Sequence, residues 1–412
     1  MKVLVFAHRL EYGGTQVNAI ELAAALRDLH GMEIVFFATP GPLLELVKAK
    51  GLRYVCAPDA RTHPSPTRMR ALRKVVRAER PDVLHVWDWW QCLDAYFSVH
   101  LAMGIPMVVT DMMMDLTRVL PKKLFTTFGT PLLVEQARAD GRPLAALLLP
   151  PVDTRENAMA AVDAVPFRLQ HDLKPDDLTL VTVSRLADFM KSESLVRTVD
   201  AVRRLGRELP LRLVIVGDGA ARPHLQQLAE AANAELGRAA VTLAGALLDP
   251  RPAYAAADIV VGMGGSSLRG MAFGKPVVIV GERGFSEIFS PATADLFLHQ
   301  GMYGTGDDDP GNARLSSNIR SLVLNLAGLP ALGAFSRRFV EANFSLEAVS
   351  LKLAQLCRSA LAHAPSPHGS AFDALRTGLV YLRERRFLTP SADSSEARAI
   401  RLAQAAPPLG RG

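Results

Sequence analysis

Short apolar, β-branched runs alternate with amphipathic stretches along most of the chain. Residues 2–7, 33–38, 53–56, 81–88 and 105–110 have strand length and strand character, and 144–149 is a further apolar run. Between them Val17, Ile20, Leu22 and Leu26 recur at helical spacing, and helices are predicted over 42–50, 67–80, from the end of the 81–88 strand to about 103, and after Pro131. Polar, proline-bearing sequence from 150 to 177 breaks this pattern and marks a linker.

The alternation then restarts. Residues 178–183, 211–216 and 241–245 read as strands, with helices over 194–205, 223–235 and 252–257. The stretch 258–287 reads as an apolar strand, a turn with Gly262, Gly264 and Gly265, a helix opened by Ser266 and Ser267, and a second strand over 277–280. Strands separated by single helices predict parallel sheets with right-handed crossovers, so both halves are expected to be Rossmann-like. The expected division is an N-terminal domain over 1–165, a C-terminal domain over 166–335 and helices over 336–362 crossing back to the first domain. A basic tail over 363–412 is expected to be helical over 372–386 and disordered at its extreme end.

Composition agrees with two cores: 412 residues exceed what one core serves, and 49% hydrophobic with 21% charged residues is globular. The net charge of +6 tilts toward phosphorylated ligands or an anionic membrane surface. It does not indicate nucleic acid, because the basic residues have little aromatic interleaving and form no known module. Three dispersed cysteines, Cys56, Cys92 and Cys357, argue against a zinc site or disulfide framework and for a reducing cytoplasm. The N-terminal apolar run is too short for a signal peptide, and no stretch has the length of a membrane span. The 67–80 helix places Met69, Leu72, Val75 and Val76 on one face among six basic residues, which suits either a solvated outer face or anionic lipid headgroups.

Candidate chemistry sits at strand ends. Unpaired amides and a helix dipole converge on the bare glycine turn at 262–265, which suits a phosphate, although a tight corner alone would need the same glycines. Gly13 and Gly14 could bring backbone near a phosphate or sugar, with Thr15 as helix cap. His85, Asp88 and Asp111 are the N-terminal polar groups best placed to face a ligand. Gly217 and Gly219 form only a partial dinucleotide fingerprint, since Arg222 stands where the third glycine belongs. Asp307, Asp308 and Asp309 lie in a loop expected to be solvated and lack the flanking ligands of a calcium site.

The ordered set of the Gly13-Gly14 turn, PVDT at 151–154, VSRL with Lys191, VIVGDG at 214–219, LAG at 243–245 and GMGGSSLRGMAFGKPVV at 262–278 resembles the two-Rossmann-domain GT-B glycosyltransferases. Within that fold it is closest to family 4 of the retaining enzymes, over about residues 1–360. The resemblance implies sugar transfer from a nucleotide-diphosphate sugar, UDP-sugar favoured, to a small-molecule, glycan or lipid-linked acceptor, with no cofactor and no essential metal. Arg185 and Lys191 match the diphosphate-binding cations. Gly245, Ala246 and Leu247 match the base loop, Gly264, Gly265, Ser266 and Ser267 the phosphate and sugar loop, and Gly14 the N-terminal loop over the diphosphate.

Two departures stand out. The family's paired glutamates fall on Val261 and Arg269, and its histidine after the 105–110 strand falls on Met112. Arg269 is then expected at phosphate or ribose, and Asp111, Glu282 or Glu287 to supply a carboxylate to the sugar. Asp111 and Glu282 are the catalytic candidates, with Glu287 on the donor side. A silent GT-B scaffold that binds nucleotide sugar or a partner protein is the alternative, followed by a GT-B epimerase or phosphorylase.

Overall fold

A computed structural model describes residues 1–60, 62–187, 191–363 and 367–386. The chain divides into two compact units, one built from Met1–Pro151 with the chain from Leu346 onward, the other from Val152–Ser345.

The first unit is a seven-stranded sheet of β1 (Lys2–Phe6), β2 (Glu33–Ala38), β3 (Arg53–Cys56), β4 (Val83–Trp87), β5 (Met107–Asp111), β6 (Phe125–Phe128) and β7 (Ala145–Leu147). Their order is β3-β2-β1-β4-β5-β6-β7, and every neighbouring pair is parallel. Helices cover both faces, so β1 buries Val3 and Val5 in one core and Leu4 and Phe6 in another. That double burial is why such strands read as unbroken apolar runs. Strand β6 escaped the sequence pattern because its centre is Thr126-Thr127. Both are buried, and the Thr127 hydroxyl bonds Thr110 Oγ1 at 3.0 Å.

Helix Leu346–Ala362 completes this unit, adding Val349, Leu353, Ala354 and Cys357 to the core that holds Leu22 and Leu26. Helix Pro367–Arg386 follows, anchored where Asp373 accepts the backbone N–H of Lys122 at 3.0 Å and of Lys123 at 2.8 Å. The extreme C-terminus, expected to be disordered, lies outside the described residues. Among the described residues no single helix is long and apolar enough to cross a membrane.

The second unit holds β8 (Leu178–Val183), β9 (Leu211–Val216), β10 (Val241–Gly245), β11 (Ile259–Gly262), β12 (Val277–Val280) and β13 (Ser286–Ile288). Their order is β10-β9-β8-β11-β12-β13, parallel except for β13, which runs antiparallel to β12. Three residues are too few for β13 to show a period in sequence.

The exchange between units comes at 151/152 and 345/346, not at the expected 165 and 335. Val152 N–H donates to Phe344 O at 2.8 Å, tying the two crossings together. Helix Leu329–Phe344 therefore stays with the second unit. Its Gly333 lies so close to the turn at Gly274 that a Cβ would stand 2.0 Å from Gly274 O, and Phe335 and Phe339 pack on Phe289.

Two charged stretches differ from expectation. In helix Pro66–Glu79, Arg68 is buried and pairs with Asp94 at 2.7 Å, while Leu72 and Val76 enter the core. The aspartate loop is not simply solvated, because the Asp309 carboxylate is buried against Arg197 at 2.8 Å.

Candidate functional site

In the second unit the sheet order reverses between β8 and β11, and open parallel sheets bind ligands at the carboxyl ends of strands beside such a switch. A small pocket lies there, lined by Thr182, Ser184, Lys191, Gly262, Met263 and Val280, from the ends of β8, β11 and β12 and the start of helix Ser192–Leu205. Among the described lining residues Lys191 is the cation. Burial pushes its ammonium down to about 8, and the neighbouring Arg185 charge pushes the same way.

Arg185 is exposed on the loop after β8, and the partial GxG fingerprint holds that loop. Gly217 and Gly219 have φ of 140° and 150°, and a Cβ at either would stand 1.8 Å from Ser184 O or 2.4 Å from Leu186 O. Backbone bonds lock the two turns together, with Ser184 N donating to Val216 O and Leu186 N to Asp218 O, each at 2.9 Å. The glycines thus shape the Arg185 loop from behind. Asp188, Phe189 and Met190, the rest of the loop to Lys191, lie outside the described residues.

The glycine turn after β11 opens helix Gly265–Ala272. Ser266 and Ser267 do not cap it, contrary to expectation. Gly264 is the N-cap, with φ 58° and ψ −134°, and among the described residues no side chain bonds the first turn. A helix end of this kind leaves its leading amides facing outward. The Gly264 amide itself is taken by Met302 O at 2.6 Å. Ser266 Oγ meets the Tyr254 hydroxyl at 3.2 Å, and Ser267 Oγ is buried with no hydrogen-bond partner among the described residues. Arg269 reaches back over this turn, since a Cβ on Gly265 would lie 3.2 Å from its Nη1.

The other donor-side candidates are less concentrated. Gly245 ends β10 with φ 80° and accepts Gly217 N–H at 2.8 Å, which places it beside the same turn, with Ala246 exposed and Leu247 half-buried beyond it. Glu282 follows β12, but its carboxylate accepts the Tyr303 hydroxyl. Glu287 lies on the edge strand β13 opposite Ile279, within the field of Arg314. Neither glutamate lines the pocket. Val261 is fully buried in the core, so its side chain offers the site nothing.

The first unit has its own switch point, between β1 and β4. His8 follows β1, Asp88 opens the helix after β4 with φ 52°, and His8 Nε2 meets Asp88 Oδ2 at 2.5 Å. Met112 N–H donates to the other Asp88 oxygen at 3.4 Å. Pattern singled out Asp88 but not His8. Only the strand order brings residues 80 positions apart together, although a polar residue directly after the first strand of a Rossmann-like sheet was a usable signal. Gly14 is exposed at the start of helix Gly14–Asp28, and Gly13, not Thr15, is its N-cap. His85, expected to face a ligand, is buried within β4 with Nε2 2.8 Å from Thr110 Oγ1, and burial pushes it down to about 3.

Asp111 is also buried, at 1% exposure, with Oδ1 accepting Met113 N–H at 3.2 Å. Burial first, and then the Asp88 charge, push it up to about 7. A carboxyl raised in the folded state binds its proton more tightly there than in the unfolded chain. Its stabilising contribution is therefore full below about 4 and is lost as pH rises through about 7. The Asp111→Asn variant is expected to flatten this decline, and thermal melting between pH 5 and 8 checks it.

Both units match known sequence families. Residues 12–124 match a model described as Glycosyltransferase Family 4, and residues 177–302 one described as Glycosyl transferases group 1. No curated protein sequence matches significantly. Among solved structures the chain is similar to a glycosyltransferase from Rickettsia africae, at 14% identity and TM-score 0.71 over 88% of this chain and 99% of that one. Anabaena HepE in complex with UDP-glucose aligns at 15% identity and TM-score 0.69, over 87% and 100%. A putative UDP-N-acetylglucosamine 2-epimerase from Listeria monocytogenes aligns at 13% and 0.60, over 89% and 98%. One glycosyltransferase family model thus falls on each Rossmann-like unit, and the chain shares the two-domain GT-B fold of these solved glycosyltransferases over nearly its whole length.

Proposed function

We propose that the chain transfers a hexosyl group from a nucleotide-diphosphate sugar, UDP-sugar favoured, to the hydroxyl of a small-molecule, glycan or lipid-linked acceptor, with retention of anomeric configuration. The observation that carries this is the pairing of Lys191 and Arg185 beside an uncapped helix N-terminus at Gly264, at the switch point of the second sheet. Two fixed cations and a helix dipole neutralise the diphosphate as it leaves. With that charge supplied by the protein, no metal is required in this scheme. The position of Gly245, Ala246 and Leu247 beside the Gly217 turn supports their holding the base. Arg269, reaching over Gly265, supplies a third positive charge where the family has a carboxylate.

On the acceptor side the His8–Asp88 pair is the acid–base element, because it is partly exposed at the first unit's switch point. Asp111 orders the loop behind it through Met113. The free thiols of Cys56, Cys92 and Cys357 suit a cytoplasmic setting.

Two observations favour the silent-scaffold alternative. Val261 offers no carboxylate and Glu282 is engaged by Tyr303. Incubation with a panel of nucleotide sugars separates the two. Release of nucleoside diphosphate, with loss of about 100-fold in kcat on His8→Ala, is expected of the transferase. Tight binding with no release from any donor would establish the scaffold. Arg269→Glu is expected to change the ranking of donors in the same panel, and an unchanged ranking would remove Arg269 from the site.

A further inference from the structure

We propose that the outer face of helix Pro367–Arg386 docks the first unit on an anionic lipid surface. Phe372, Leu375, Leu379 and Leu382 are 72%, 62%, 58% and 62% exposed. Their spacing of three, four and three places them on a single stripe. The opposite face is pinned. Asp373 holds two backbone amides, Thr377 is fully buried, and the Tyr381 hydroxyl donates to His63 O. The stripe therefore points outward on a fixed helix. Single exposed leucines are ordinary, but four in register on an anchored helix form a patch of the kind that marks an interaction surface.

The charge around the stripe selects the partner. Arg118 and Lys123 are exposed where the helix meets the rest of the unit, at contacts with Arg376 and Asp373 respectively, and Arg383 is exposed in its last turns. Along helix Pro367–Arg386 the carboxylates are Glu384 and Asp373, the latter 3% exposed and already occupied, against arginines at 376, 383, 385 and 386. Tyr381 meets His63 just before helix Pro66–Glu79, whose outer positions Arg70, Lys74 and Arg77 are also exposed. That helix cannot insert by itself, because Leu72 and Val76 lie in the core. It contributes positive charge, and the C-terminal helix contributes the apolar residues.

A second copy of the chain is the weaker occupant. Four such side chains offer roughly 400–500 Å² per copy, short of the ~800 Å² per partner in a stable interface. Apolar residues bordered by arginine and lysine are what an interfacial helix presents to acidic headgroups.

Co-sedimentation of the full chain with vesicles tests the proposal, comparing phosphatidylglycerol-containing with pure phosphatidylcholine vesicles at low salt. The chain is expected to pellet with the anionic vesicles only. Leu375→Gln with Leu379→Gln is expected to weaken that binding about tenfold or more while UDP binding and melting temperature stay unchanged. Equal pelleting with both vesicle types would overturn the anionic requirement. Vesicle binding untouched by the leucine pair but lost on neutralising Arg70, Lys74 and Arg77 would move the contact to the other helix. A chain that ignores vesicles, and whose dimer in analytical ultracentrifugation dissolves in the double variant, would make the stripe a self-association face and overturn the proposal.

Discussion

Lys191→Ala should bind UDP roughly 10- to 150-fold more weakly than the parent, the range that corresponds to losing a charge-assisted hydrogen bond of about 1.5–3 kcal/mol. The substitution leaves the local backbone intact, because it is the Lys191 carbonyl that accepts Leu195 N–H at 3.1 Å and the Ser194 hydroxyl at 2.9 Å. Burial and Arg185 hold the ammonium at about 8. It is therefore protonated and attractive to diphosphate at pH 7, and loses its charge as pH rises through 8. Titration calorimetry should show parental affinity falling between pH 7 and 9.5, with the fall much reduced in Lys191→Ala. A variant that binds UDP as the parent does at pH 7 would refute the diphosphate site.

Gly217→Ala should damage both stability and binding, for a reason unconnected with dinucleotide recognition. Its φ of 140° is strained for any residue with a Cβ, and that Cβ would stand 1.8 Å from Ser184 O. Either the β9 turn or the Arg185 loop must move, at a cost of about 3–5 kcal/mol from backbone strain and overpacking together. Gly237→Ala is the control. It carries a positive φ of 64° with no atom within 4 Å of the added Cβ, so about 1 kcal/mol is expected. Urea unfolding should separate the two, and UDP affinity should fall only for Gly217→Ala. Equal stability of the two variants would show that the Ser184 contact is not a constraint.

Much of the fold was legible because parallel strands buried on both faces are nearly pure apolar runs, as at Leu4-Val5-Phe6 and Val277 to Val280. What escaped was written in polar or very short segments. The Thr126-Thr127 strand looks like loop until its hydroxyls are seen bonding inside the sheet, and three-residue β13 has no period to detect. Lys191 was singled out through an ordered motif, and in the structure it lines the pocket at the switch point. The His8–Asp88 contact was not, because it depends on which strands are neighbours. Likewise Gly217 and Gly219, only a partial dinucleotide fingerprint in the sequence, answer in their geometry to two carbonyls packed against them from the neighbouring turn. Helix Pro66–Glu79 shows the limit of charge counting, since Arg68, on its basic side in the sequence, is buried against Asp94.

The hydrogen bond from Val152 to Phe344 has a consequence for biosynthesis. The second unit is one continuous stretch whose first and last residues meet, so it can close on itself as soon as residue 345 leaves the ribosome. The first unit cannot. It is begun first and finished last, because Val349, Leu353 and Cys357 fill its core only after the whole second unit has been made. Its unfinished apolar surface is thus exposed for the longest part of translation, and that half is where a chaperone would be needed.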